Sequence, residues 1–351
     1  MNKLTKVGIS ALAGSLAVVG ANASEYSVTG DSQVVYSSAQ GNEADAVASN
    51  GKGIGVDTDI YFRASGELDN GWTVSFFSAM DMEQSNAATS GGLNSSAQVT
   101  VGMGSLGTIQ FNDISGSAAN AIDDVLPFAY EETWDGTSHS SAFHSFGVST
   151  QSGSVDYRTP AFSIGDISIS ATYTYDPDAG NYGYVSAGGV TPGQNEGEAY
   201  TIKVSGMGLT LGAGSEEVEN ASTSVGASDL QRATGYAKYT NGPMTIGYQE
   251  FFINAANASG AGAGTQAPDT SGDGMAVLFA QDNYSFSYAE VKEQVEKISA
   301  TTQEYETEMS ALQATYTMGA MTLGASLYET DNPEGTTGKY EETEISVSFA
   351  F

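Results

Sequence analysis

Apolar and polar positions alternate with a period of two along most of the chain. At its C-terminal end Ile345, Val347, Phe349 and Phe351 alternate with Glu344, Ser346, Ser348 and Ala350, and the same texture recurs at residues 99–103, 167–173 and 284–288. A strand written this way has one apolar face and one small or polar face. Such segments fall at 26–36, 56–67, 72–82, 97–103, 107–113, 153–159, 166–175, 199–205, 208–215, 232–240, 243–252, 274–280, 284–292, 307–317, 320–329 and 341–351, which predicts sixteen strands. Residues 290–311 alone read as helix. There Val291, Val295 and Ile298 stand at roughly helical spacing, with Lys292, Glu293, Glu296 and Lys297 between them, and both a short helix in a loop and a continued rim strand fit.

The connections alternate too. Asp69-Asn70-Gly71, Gly104-Ser105-Leu106, Gly206-Met207, Asn241-Gly242, Gln281-Asp282-Asn283 and Met318-Gly319 are hairpin-sized, whereas the connections at 37–55, 176–198 and 253–273 are long and polar. Short turns at one end and long loops at the other are the asymmetry of a transmembrane β-barrel. Tyr173, Tyr175, Tyr248, Phe251, Phe252, Tyr328, Phe349 and Phe351 gather at strand ends, as interfacial girdles require and a soluble sandwich does not.

Composition narrows the picture. The 351 residues carry 42 Asp+Glu against 11 Lys+Arg, a formal charge of −31 that repels nucleic acid, and the absence of Cys removes disulfides, thiolate metal sites and cysteine nucleophiles. Residues 1–23 have the layout of a secretory signal peptide: Lys3 and Lys6, an apolar stretch at 7–20, then the small-x-small site Ala21-Asn22-Ala23. The mature chain is then expected at 24–351. Its longest apolar run, 275–280, is too short for a membrane-spanning helix.

Three stretches carry a family resemblance. Val101-Gly102-Met103-Gly104-Ser105-Leu106-Gly107-Thr108-Ile109 is similar to the strand-turn-strand that enters the constriction loop of general bacterial outer-membrane porins. Ser154-Val155-Asp156-Tyr157-Arg158-Thr159-Pro160-Ala161-Phe162 is similar to the strand that leaves that loop, and a terminal Phe351 on an alternating strand resembles the family's barrel-assembly signal. The resemblance implies a sixteen-stranded homotrimer in the outer membrane of a Gram-negative bacterium. Its implied partners are outer-membrane lipid, lipopolysaccharide, the barrel-assembly machinery and small hydrophilic solutes. Gly30 and Ala350 are expected to let terminal strands approach a neighbouring copy. Where the family usually has a basic residue after its Gly-Thr strand, this chain has Phe111-Asn112-Asp113.

The resemblance also gives meaning to the long connection 114–152, which in porins folds inward and narrows the lumen. Asp113, Asp123, Asp124, Glu131, Glu132 and Asp135 are the acids on it or at its first residue, with no Lys or Arg between Arg63 and Arg158. If apolar neighbours face lipid, alternation turns Arg63, Arg158 and Lys203 into the lumen, and Arg232 and Lys238 share the lumen face of the tenth strand. The expected function is passive diffusion with a cation preference; a substrate-specific channel and a structural or adhesive barrel are the alternatives. His139 and His144, five apart among serines, match neither a catalytic triad nor a zinc pattern, so no catalysis and no cofactor are expected. Asp57 with Asp59, and the acid runs 216–219 and 341–344, are candidate Ca²⁺ or Mg²⁺ ligands at the outer surface, with plain solvated charge as the alternative.

Overall fold

Strands form wherever the alternation predicts them. They are β1 Glu25–Gly41, β2 Gly51–Glu67, β3 Thr73–Asp81, β4 Asn94–Gly102, β5 Thr108–Asp113, β6 Val155–Arg158 continued by Phe162–Ile164, β7 Ile167–Asp176 and β8 Gly197–Gly206. The second half holds β9 Leu209–Val218, β10 Leu230–Asn241, β11 Met244–Asn254, β12 Thr270–Gln281, β13 Tyr284–Val295, β14 Tyr305–Met318, β15 Met321–Asp331 and β16 Lys339–Ala350. The computed structural model describes residues 14–15, 25–41, 51–81, 94–113, 116–136, 143, 145–150, 152–179, 195–219, 229–254, 269–296, 304–335 and 337–351. The expected leader, 1–23, lies outside these except for Gly14–Ser15, which pair with Val28 and Ser27. His139 and His144 also lie outside them.

Every strand pairs antiparallel with the next, and β16 returns to β1 through Tyr340↔Gly41 to Ala350↔Asp31, closing a sixteen-stranded barrel. Closure leaves no strand edge, which lipid does not tolerate. β6 is interrupted at Pro160, which has no N–H for the ladder; both pieces still pair with β7, at Tyr157↔Tyr173 and Ser163↔Ser168. The two-residue turn Met207-Gly208 holds both residues at positive φ, 52° and 81°, the type I′ pattern that matches hairpin twist. The seam is finished by Phe351, whose N–H donates to the Gly30 carbonyl at 2.8 Å while Gly30 N–H donates back at 2.6 Å.

Register separates two rows on every strand. One carries Ile202, Leu211, Ile246, Leu312, Leu323, Leu327 and Ile345, all large, apolar and exposed, an arrangement stable only against lipid. The other carries Gln33, Asp59, Gln110, Asp156, Thr174, Glu216, Gln249, Ser287, Gln313 and Ser346, and faces inward. Tyr173 with Tyr200 and Tyr284 with Tyr316 stack at the two ends of the belt, with ring centroids 5.0 and 4.7 Å apart. Phe251 and Tyr328 do not join these girdles: both lie on inward rows and are buried.

Two further expectations change. The helix reading of 290–311 gives way to β13 running to Val295 and β14 starting at Tyr305. The room above Gly30 is filled by its own chain, since a Cβ there would lie 2.8 Å from both the Asp59 carbonyl and the Phe351 ring. Ala350 shares the inward row of Ser346 and Ser348, so neither residue presents a small outer surface to a second copy. Gly30→Val is therefore expected to lower barrel stability by about 1–3 kcal/mol through overpacking at the seam. Gly55→Val, at a site with nothing within 4 Å, is the control, and heat-dependent electrophoretic mobility in detergent reads both. Equal mobility shifts in the two variants would contradict this role for Gly30.

Candidate pore and constriction

The connection between β5 and β6 makes contacts that only a chord through the barrel interior allows. Its start is pinned by Gln110 Nε2, which donates to the Gly116 carbonyl at 3.0 Å, and by Asp156, which accepts the Ala118 N–H at 2.8 Å. Gln249 on β11 accepts the Val125 N–H at 2.9 Å, Ser287 on β13 accepts Ala129 N–H at 2.9 Å, and Gln313 on β14 accepts Tyr130 N–H at 3.0 Å. Gln33 on β1 donates to the Tyr130 hydroxyl at 2.7 Å. On the way back Glu216 on β9 accepts from Gly147 N–H and Thr150 Oγ1, both at 3.0 Å. All these wall residues share the inward row.

An apolar layer lies beneath the segment. Leu126, Trp134 and Phe143 pack on Phe251, Ala276, Ala289, Val291 and Met309 of β11–β14, with Phe143 edge-on to Phe251 at 5.2 Å and tilted against Trp134 at 4.9 Å. A second patch joins Ala119, Ile122 and Phe146 to Ala199 and Tyr236. Burying each large side chain contributes roughly 1.5–3 kcal/mol, enough to hold the segment to this wall. The β11–β14 side of the lumen is thus covered by the segment.

The open side is a chamber of about 740 Å³ against β1–β4, lined by Glu25, Asp59, Tyr61, Arg63, Phe77, Asp81, Gln98 and Thr100 among others. A second chamber, about 460 Å³, lies between residues 124–131 and the turn-side ends of β10–β14, with Asp124 and Lys238 in its lining. The Arg63 guanidinium lies over the Phe77 ring at 4.8 Å and the Tyr61 ring at 5.5 Å, and donates to Thr29 Oγ1 at 3.2 Å. Asp57 and Asp59, read from sequence as outer-surface ligands, stand on the inward row, and their carboxylate oxygens lie within 4.8 Å of those of Asp81. Such oxygens suit a hard cation, and no fourth Asp, Glu, His or Cys joins the group among the described residues.

The other residues picked from sequence scatter. Arg158 and Lys203 do face inward; Arg158 donates to Gln110 at 3.0 Å and lies 3.8 Å from Asp156. Arg232 is part-buried against the buried Glu216 at 3.0 Å and also donates to Ser149, which makes it a loop anchor and takes Glu216 out of the surface acids. Lys238 shares its row. Asp113 lies on the outward row with Ile109 and Phe111. Asp123 accepts from Asn120, Asp135 accepts the Glu132 N–H, and Glu132 is buried. Glu131 lies beside Tyr130, Gln33 and Glu344; burial first, then the Asp135 charge, pushes its carboxyl up to about 7. The anchors Gln33, Asp156, Gln249 and Gln313 were not singled out, since a polar residue on an inward row looks the same whether it meets water or a loop.

The sequence matches the Gram-negative porin description over residues 8–351. The chain belongs to the Gram-negative porin family. It is an outer-membrane β-barrel channel, and neither the family nor its fold is enzymatic. No protein of curated function matches it in sequence. OmpF of Salmonella typhi, solved in complex with daunomycin, is similar in structure with a TM-score of 0.69 at 11% identity, covering 93% of this chain and 98% of its own. An anion-selective porin from Comamonas acidovorans gives 0.64 at 13% identity, covering 93% and 100%. The trimer form of OmpT from Vibrio cholerae gives 0.61 at 11%, covering 93% and 99%. At such identities the likeness concerns the fold.

Removing Glu216 leaves the part-buried Arg232 guanidinium without its carboxylate partner, a loss of about 3 kcal/mol, the low end for a buried pair. Glu216→Ala is expected to open residues 145–150 to protease in detergent while the barrel stays assembled. A digestion pattern identical to wild type would refute the anchoring role.

Proposed function

We propose that this porin is a cation-preferring diffusion channel for small hydrophilic solutes and ions, narrowed by residues 114–152 and assembled as a homotrimer. The observation that carries the reading is the charge of the open chamber, where Glu25, Asp59 and Asp81 stand in the lining and Arg63 is the base among them. Asp57 and Asp31 extend the same inward row. In a narrow aqueous path between low-dielectric walls such fixed charge concentrates counter-ions. Arg158 and Arg232 lie beside Asp156 and Glu216, which offsets their attraction for anions. The Comamonas relative is anion-selective on the same fold, so the sign of selectivity rests on lumen side chains rather than on the barrel. The trimer form of the Vibrio relative supports the assembly.

Reversal potential across a planar bilayer in a salt gradient tests the reading, with a cation-side value that shrinks as salt rises because screening over about 8–10 Å shortens each carboxylate's reach. Replacing Asp57, Asp59 and Asp81 by Asn is expected to lower the preference, and Arg63→Ser to raise it. An anion-side value for the wild type would overturn the proposal. A second check uses pH. Burial holds the Glu131 carboxyl well above the usual carboxylate range, near 7, so the preference is expected to fall as pH drops through that region, and Glu131→Gln to flatten this step. The same step in the Gln variant would remove Glu131 from the pathway. A single-chain mass in mild detergent would rule out the trimer.

A further inference from the structure

We infer that Gln249 and Gln313 are positioning residues that hold the inward segment against the β11–β14 wall and thereby keep the chamber beside β1–β4 open. The inference rests on the channel reading above. A primary amide offers one acceptor and two donors, so it can pair with a peptide backbone as another peptide would. Gln249 does this at one point of the segment: its oxygen accepts Val125 N–H at 2.9 Å while its nitrogen donates to the Ile122 and Asp123 carbonyls at 3.0 and 2.9 Å. Gln313 repeats the pattern, accepting Tyr130 N–H at 3.0 Å and donating to the Glu131 carbonyl at 2.5 Å. Both are almost wholly buried, and both sit equally far from the turn-side ends of their strands, Met244 and Met318.

The wall holds each amide in place. Gln249 Nε2 also lies 3.0 Å from Thr234 Oγ1, so its two N–H groups are shared among three acceptors, and Gln313 accepts from Ser287 Oγ at 3.1 Å. Between the two amides Leu126 packs into the apolar layer, so the segment is gripped on both sides of that contact. The apolar layer alone is non-directional and permits sliding along the wall; the amide pairs fix the register. Loss of both pairs leaves buried backbone N–H and C=O groups that regain partners by shifting toward water, and the larger chamber beside β1–β4 offers the most room for that shift.

The test compares wild type with Gln249→Ala/Gln313→Ala and with Gln249→Met/Gln313→Met, which keeps side-chain volume and removes the amides. Gln231→Ala, an exposed glutamine bonded to Glu217 on the outward row, is the control. Assembly is checked by heat-dependent mobility, then single-channel conductance and current noise are recorded together with liposome entry of neutral sugars of graded size. With assembly intact, both double variants are expected to lose about a third or more of the mean conductance, to flicker, and to exclude smaller sugars, as a narrower path dictates. The Met pair keeps the test open if the Ala pair fails to assemble. Assembled variants with wild-type or raised conductance overturn the inference while leaving the channel reading intact. A wild type that forms no pore defeats the channel reading itself.

Discussion

Backbone N–H and C=O groups need partners wherever water is absent, and this structure follows from meeting that need twice. In the lipid belt the ladder does it, from β1 round to β16 and back, with Phe351 and Gly30 exchanging the last pair of hydrogen bonds. Inside the barrel a second backbone runs without a strand neighbour of its own. Its peptide groups are taken up by wall side chains: Gln110, Asp156, Gln249, Ser287, Gln313 and Glu216. The barrel wall is therefore both a membrane surface and a template for the segment it encloses.

That second requirement divides the lumen. The template side, β9–β14, is apolar where it is covered: Phe251, Ala276, Ala289, Val291 and Met309. The opposite side, β1–β4, lines the larger chamber with Asp59, Asp81 and Arg63. On the proposed reading, conduction is left to the side that the segment does not occupy. The acids of the segment itself are spent partly on local structure, Asp123 holding Asn120 and Asp135 holding the Glu132 amide.

The barrel was legible in sequence because lipid enforces a strict period of two, and all sixteen strands lie where alternation places them. The covered side was not. On β13 the inward row reads Ser287, Ala289, Val291, Glu293 and Val295, and the outward row above the belt reads Glu290 and Lys292, with Lys292 bonded to Glu308 at 2.9 Å. There the pattern inverts to apolar inside and charged outside, and Val291 with Val295 mimics a helical spacing. Phe251 and Tyr328 misled for the same reason, as aromatic residues at strand ends that serve the inner layer rather than the girdle. The charge rows were half readable. The alternation that turned Arg63 inward also turns Asp57 and Asp59 inward, yet pairing them with Asp81 requires the β2–β3 register.

The division of the lumen is the central claim, and a cysteine-free chain allows it to be measured by thiol labelling. Single cysteines are placed at Ser75, in the lining of the open chamber, and at Ala276, buried beneath the segment, and each pore is recorded before and after a bulky water-soluble thiol reagent. The account predicts a drop in conductance for Ser75→Cys and an unchanged current for Ala276→Cys. Block at Ala276→Cys with none at Ser75→Cys would contradict it.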